Sequence, residues 1–122
     1  MKTLIGIESF EEMKARKSIR ASRLARGERI KPERRITFEN SADLLACITP
    51  QRIRLIEAAR QAPQSVSDLA RYLSRHRSAV HRDVKALARY GMVAIRRRNN
   101  PGHGQVQIVA ATAGTFTVSA KF

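Results

Sequence analysis

Cysteine is almost absent from this chain of 122 residues. Cys47 is the only one, so an intrachain disulfide and a cysteine-built metal cage are both excluded. We expect Cys47 to be a small buried apolar residue, as free cysteines usually are. The three histidines, His76, His81 and His103, have no metal-ligand spacing with acids or with cysteine. The sequence therefore predicts no metal site.

Long apolar runs are lacking as well. The opening stretch MKTLIGIESFEEMK has a short apolar run before charges appear, which is too short for a signal peptide or a membrane span. We expect a protein of the bacterial or archaeal cytoplasm. Neither a Gly-rich phosphate loop nor a nucleophile motif is present. The sequence predicts no cofactor, no catalytic residue and no enzymatic activity.

Acidic residues are few beside basic ones. The chain has 24 Lys and Arg against 10 Asp and Glu, a formal net charge of +14. The excess is spread over residues 1–40 (11 basic, 6 acidic), 41–91 (9 and 4) and 92–122 (4 and none). Such an excess favours a polyanionic partner. Because only 5% of residues are aromatic and Trp is absent, stacking surfaces for unpaired bases are scarce, which favours duplex over single-stranded nucleic acid.

Residues 64–90 predict two helices joined by a tight turn. Ser65 and Asp68 match a capping box at the start of the first helix, and Gly91 is placed to end the second. The turn falls at Ser74–His76. Two more helices are predicted upstream, at Ser41–Cys47 and from Thr49-Pro50 to about Gln61.

The second of these two helices has an apolar side and a basic side. At 100° per residue, Val80, Val84 and Leu87 share one side. Ser78, Arg82, Lys85 and Arg89 share the other, with no acid among them. The apolar side must anchor the helix in a core, so the basic side is presented outward. A solvated surface is the plain alternative for a charged face of this kind.

A helix with an outward basic side fits the major groove of B-DNA. Residues in its first two turns reach base edges, and later ones meet phosphate. Base contacts are predicted for Arg77, Ser78, His81 and Arg82. Phosphate contacts are predicted for Lys85 and Arg89.

A β-hairpin is predicted after Gly91, with strands at Met92–Arg97 and Gln105–Ala110 around a Gly- and Pro-rich turn at Asn99–Gly104. A basic hairpin after a DNA-contacting helix is typical of a wing, whose tip meets the minor groove or its phosphates. The alternative is a solubilising turn, and Arg97 is expected on the opposite strand face from Arg96 and Arg98. The predicted wing contacts are Arg96, Arg97, Arg98, Asn99, Asn100 and His103.

The segment from Thr49 to Ala110 resembles a MarR-like winged helix-turn-helix domain. The run Val80–Leu87, followed by Tyr90-Gly91-Met92-Val93, is similar to the recognition helix and next strand of a prokaryotic family of DNA-binding transcriptional regulators. The helix opening T-P-x-R and the N-terminal strand with its charged helix also resemble that family. Some members, of the TumA-like kind, are antitoxins encoded beside a toxin. The C-terminal tail does not align with the family.

Residues 1–40 are predicted to form an N-terminal arm. A strand is expected at Lys2–Ile7, then a helix from Phe10 to about Arg26, opened by a capping box at Ser9 and ended at Gly27. Three roles stay open for the arm. Its strand can pair across two subunits of a homodimer, its basic residues can follow the DNA backbone, or its surface can dock an acidic partner such as a toxin. The plain alternative is a merely solvated helix.

The sequence thus predicts an α+β fold, a winged helix-turn-helix domain at residues 41–122 with a strand-helix extension at residues 1–40. The expected function is that of a dimeric, sequence-specific regulator bound to double-stranded DNA. The alternatives are an antitoxin that neutralises a cognate toxin and represses its own operon, and a non-specific architectural DNA binder.

Overall fold

In the computed structural model, which describes residues 1–102 and 104–122, the chain forms two compact units. Unit 1 comprises residues 1–46 and 115–122, and unit 2 comprises residues 47–114. This division differs from the boundary at 40/41 that the sequence suggested, because residues 41–46 and 115–122 belong with the N-terminal residues. The elements in chain order are β1 (Lys2–Ile7), α1 (Phe10–Ala25), β2 (Arg34–Phe38), α2 (Ser41–Cys47), α3 (Pro50–Gln61), β3 (Gln64–Ser65), α4 (Val66–Leu73), α5 (Arg77–Arg89), β4 (Val93–Asn100), β5 (Gly104–Ala111) and β6 (Thr115–Val118).

Unit 1 is built on a three-stranded sheet in the order β2-β1-β6. Both pairings of β1 are parallel, with Ile5 opposite Ile36 on one side and Val118 on the other. The helix α1 connects β1 to β2, as parallel neighbours require a crossover. It starts at the predicted capping box, in which the Ser9 side chain accepts from the Glu12 amide and the Glu12 side chain accepts from the Ser9 amide.

Unit 2 packs α3, α4 and α5 with a second sheet in the order β3-β5-β4, antiparallel throughout. Its centre is apolar: Leu55, Leu69, Leu87 and Val109 are fully buried, one from each of α3, α4, α5 and β5. Cys47 is 2% exposed, and burial raises the pKa of its thiol. The expectation of a buried cysteine is confirmed.

Two features of unit 2 differ from the sequence-based expectation. The two-residue strand β3 was not predicted, because it is too short to show an alternating pattern. The turn predicted at Asn99–Gly104 was too long, since Asn99 pairs with Gln105 and Asn100 with Gly104. Backbone pairing extends to Asn100 and Gly104, and Gly104 takes a positive φ of 74°, which glycine adopts without strain.

The described part of the chain contains no helix with the length and apolar character that crossing a bilayer requires. It also contains no group of three or more His, Cys, Asp or Glu placed to hold a metal ion.

Candidate nucleic-acid interface

The helix α5 is anchored by the side predicted to be apolar. Val80, Val84 and Leu87 each have no exposed surface. The preceding helix α4 ends at Ser74, which takes a left-handed conformation with φ 52° and ψ 46°. Left-handed geometry is a common way to end a helix and turn the chain sharply. The sequence at 64–90 therefore forms the predicted helix-turn-helix.

The opposite side of α5 is exposed. Ser78, Arg82, Lys85 and Arg89 all lie at the surface, and we call these four residues the α5 stripe. In the part of the chain that the structure describes, none of its three cations has an acidic partner within salt-bridge distance. Three cations without an acidic partner, within about two turns of one helix face, make a surface suited to a polyanion.

Asp83 is the acid of α5, and it is turned away from the stripe. It is 8% exposed and accepts from two arginines. Arg75, in the turn between α4 and α5, lies 2.7 Å away, and Arg52 on α3 lies 3.1 Å away. Arg52 also donates to the Cys47 carbonyl at 3.1 Å. The carboxylate thus joins α5 to α3 and to the turn, and it does not neutralise the exposed face.

The N-terminal ends of α4 and α5 border a groove of about 680 Å³. At its margin Arg77 donates from Nε to the Ser67 hydroxyl at 3.1 Å. His76 Nδ1 lies 2.9 Å from the Ser78 hydroxyl. Helix N-termini carry partial positive charge and unsatisfied N–H groups, so they favour anions. The groove is lined by Ser65, Val66, Ser67, His76, Arg77, Ser78, His81, Gln105, Val106 and Gln107.

The hairpin β4–β5 carries the predicted wing. The arginines at 96–98 and the asparagines at 99–100 are all exposed and lie on β4. Arg96 and Arg98 share one face with Ile108 and Val106, their register partners, and Arg97 lies on the other face opposite Gln107. The predicted separation of Arg97 from its neighbours is thus present. The predicted wing contact His103 lies outside the described residues.

The base of the hairpin is held to the end of α5. The Thr112 hydroxyl contacts the Gly91 carbonyl at 2.7 Å and the Met92 carbonyl at 3.0 Å. Met92 itself is fully buried. The first residues of β4 are therefore fixed against α5, while the basic residues further along remain at the surface.

The groove brings together three of the predicted α5 residues, Arg77, Ser78 and His81. Arg82, Lys85, Arg89 and the described wing residues do not line it. Seven groove residues were not identified as site residues from sequence: Ser65, Val66, Ser67, His76, Gln105, Val106 and Gln107. The alternation of Gln105 and Gln107 with apolar residues was visible, but it indicated only a strand with one polar face.

Comparison with known families matches the model described as HVO_A0114 to residues 47–108, which is 62 of the 122 residues. The chain belongs to the HVO_A0114 family. The matched residues of this HVO_A0114 chain lie within unit 2 and include α3, α4, α5 and most of the β4–β5 hairpin. A comparison with curated proteins found no match.

Solved structures similar to this HVO_A0114-family chain include a possible transcriptional regulator from Methanosarcina mazei. It is 18% identical with a TM-score of 0.51, over 62% of this chain and 68% of that one. NolR from Sinorhizobium fredii is 18% identical with a TM-score of 0.50, over 60% and 69%. Rv0081 of M. tuberculosis is 27% identical with a TM-score of 0.50, over 59% and 69%.

These likenesses, together with the element order of unit 2, establish the winged-helix fold. The expectation of an α+β winged helix-turn-helix with an N-terminal strand-helix extension is confirmed. The closer likeness to MarR-like regulators and to TumA-like antitoxins stays a prediction.

Proposed function

We propose that this protein binds double-stranded DNA and acts as a sequence-specific transcriptional regulator. The observation that carries the proposal is the α5 stripe: a hydroxyl and three cations on one exposed helix face, in a helix-turn-helix, with no acidic partner among the described residues. An α-helix fits the major groove, and arginine makes bidentate contacts to guanine there. The M. mazei relative, a possible transcriptional regulator, shares the fold.

In this proposal each part of the interface has a separate task. Arg77, Ser78, His81 and Arg82 in the first turns of α5 contact base edges, while Lys85 and Arg89 contact phosphates. The N-termini of α4 and α5, which border the groove, add partial positive charge that favours the approach of the DNA. The exposed β4 residues at 96–100 contact the minor groove or its phosphates.

The protein acts on DNA as a homodimer. Helix-turn-helix dimers bind two half-sites about one helical turn apart. A dimer therefore makes twice as many base contacts as a single chain. A chain of +14 also gains from pairing on DNA, because the phosphates offset the repulsion between two basic copies.

A binding titration with matched charge variants tests the DNA assignment. Fluorescence anisotropy would compare the duplex upstream of the protein's own coding sequence, a random duplex of equal length and one single strand. We expect the order upstream duplex, random duplex, single strand. The double variant Arg82→Ala/Lys85→Ala should lose most of the preference for the upstream duplex.

The control is Arg54→Ala/Arg60→Ala, which removes the same charge from two exposed positions on α3. It should keep the preference for the upstream duplex. If the two double variants bound each of the three ligands with the same affinity, the assignment of α5 as the DNA-contacting helix would be refuted. Equal binding of the two duplexes by the unaltered protein would favour an architectural binder.

The antitoxin alternative rests on the sequence resemblance alone. It predicts that co-expression of this chain relieves growth arrest by a toxin encoded next to it. If growth arrest persisted while the protein still bound DNA, the antitoxin alternative would be excluded and transcriptional regulation would remain as the function.

A further inference from the structure

The strand β6 forms one edge of the unit 1 sheet. The Thr115 amide donates to the Met1 carbonyl at 3.4 Å, and the Ser119 amide donates to the Ile5 carbonyl at 2.9 Å. Because backbone groups of alternate residues point to opposite sides of a strand, the N–H and C=O groups of Phe116 and Val118 point away from β1. Among the described residues no strand pairs with that outer edge.

The apolar face of this sheet becomes more exposed toward β6. Thr3 and Ile5 on β1 are 0% and 2% exposed. Their register partners on β6 are Phe116, which is half-buried, and Val118, which is 44% exposed. Another strand beside β6 would extend this face and cover the side chains that lie at its border.

The charge pattern favours a second copy of this chain as the occupant of that edge. No Lys, Arg, Asp or Glu occurs from Asn99 to Ala120, a run of 22 residues in a chain with 34 charged ones. The opposite edge of the sheet, β2, carries Arg34 and Arg35. Charged residues on an edge strand oppose strand pairing, and a long uncharged edge invites it. Because β6 has no charged side chain, it adds no like-charge contact of its own between two copies of net charge +14.

We propose that β6 pairs with β6 of a second copy, antiparallel about a two-fold axis at Thr117. In this register each Phe116 lies opposite Val118 of the other copy. The outward N–H and C=O groups of both residues are then all paired, with four hydrogen bonds across the axis. The result is a continuous six-stranded sheet, and such a two-fold contact is self-complementary.

This inference supplies a pairing surface for the homodimer proposed above. Its test measures association without DNA, so the outcome is independent of whether α5 contacts DNA. If β6 pairing fails, the titration with duplex DNA still decides the DNA assignment. If DNA binding fails, the association measurement is unaffected.

Disulfide trapping tests the register. The two Thr117 residues would face each other as a non-hydrogen-bonded pair, with Cα atoms about 4.5 Å apart, inside the range that a disulfide bridges. Thr117→Cys should therefore form a covalent dimer under mild oxidant. Ser119→Cys alone should not, since the two copies of residue 119 would lie about 13 Å apart along the strands.

A mixture of Thr115→Cys and Ser119→Cys proteins provides the matched positive control, because the register places residue 115 opposite residue 119. It should yield the mixed covalent dimer. The unaltered chain, whose Cys47 is buried, should yield none. No disulfide in Thr117→Cys, or equal yields at 117 and 119, would overturn the register.

A second variant pair tests the edge itself. Val118→Pro removes one outward N–H and leaves the hydrogen bonds to β1 in place, and proline is tolerated on edge strands for that reason. By sedimentation velocity at tens of micromolar, the unaltered protein and Val118→Thr should be dimers and Val118→Pro a monomer. The proposal is overturned if the unaltered protein is a monomer, in which case the β6 edge is free for a strand of another protein. It is also overturned if Val118→Pro is a dimer.

Discussion

Asp83 and Arg75 form the shortest ion pair of the described part of unit 2, with 2.7 Å between Oδ2 and Nη1. The same carboxylate also accepts from Arg52 on α3 at 3.1 Å. One side chain of α5 thus fixes the helix to the turn that precedes it and to α3. This contact positions the α5 stripe from behind, on the side away from the proposed DNA.

Replacing Asp83 with alanine should destabilise the fold substantially. The three side chains are 11–18% exposed, so the two guanidinium groups would lose their counter-charge in a poorly solvated place. Breaking a buried pair from one side costs about 3 kcal/mol or more. Urea denaturation should show a lower midpoint with an unchanged m-value.

The matched control for this prediction is Asp68→Ala on α4. Its pair with Arg71 spans 3.5 Å at the surface, with side chains 57% and 80% exposed. An exposed pair of this kind contributes about 1 kcal/mol or less. Equal destabilisation by the two variants would contradict the structural role assigned to Asp83.

Arg82→Ala and Lys85→Ala should affect DNA binding in different ways. Arg82→Ala should cost about 1–3 kcal/mol on the cognate duplex and relax specificity there, because it removes a base contact. Lys85→Ala should weaken all duplexes alike and lower the salt slope by about 1. Titrations at several salt concentrations measure both effects. If the two variants changed affinity and salt slope in the same way, the proposed division of α5 into base-contacting and phosphate-contacting residues would be wrong.

The paired wing arginines should act together. Arg96 and Arg98 share one face of β4, so the double variant Arg96→Ala/Arg98→Ala should reduce the salt slope of duplex binding by up to about 2 if both meet phosphates. Arg97→Ala, on the opposite face, provides a single-charge comparison. An unaltered slope in the double variant would assign the hairpin a solubilising role only.

The Glu8–Arg16 pair should make stability depend on acid pH. Arg16 donates two hydrogen bonds to the Glu8 carboxylate, at 2.7 and 3.0 Å. These bonds hold the pKa of Glu8 below its ordinary value of 4.5, and burial opposes them in part. A carboxyl whose pKa is lower in the folded state stabilises the fold above its unfolded pKa. That stabilisation is lost as the pH falls from about 4.5 through the folded pKa.

Thermal unfolding between pH 7 and pH 3 measures this contribution. Glu8→Gln should lower the melting temperature at pH 7 and by progressively less toward pH 3. Glu11→Gln provides the control, because Glu11 is exposed and its carboxylate lies 3.8 Å from Lys14. A constant difference between Glu8→Gln and the unaltered chain at every pH would contradict the lowered pKa.

The local chemistry of the sequence was enough to predict most elements. The caps at Ser9, Thr49 and Ser65 are present in the structure, each accepting from an amide three residues later. The division of α5 into a buried and an exposed side follows from its 3.6-residue period. These features depend on interactions between residues three or four positions apart. Such local interactions can be inferred from the sequence alone.

Contacts between distant residues were decided only by the tertiary structure. The parallel pairing of β6 with β1 joins residues more than a hundred positions apart, and no local pattern specifies a strand's neighbour or its register. The groove likewise combines Ser67 and His76 with Gln107 from the hairpin. The sequence by itself determined that the basic side of α5 faces outward. Only the packing of the core determined what lies next to that helix, because such contacts depend on the summed burial of side chains from several elements.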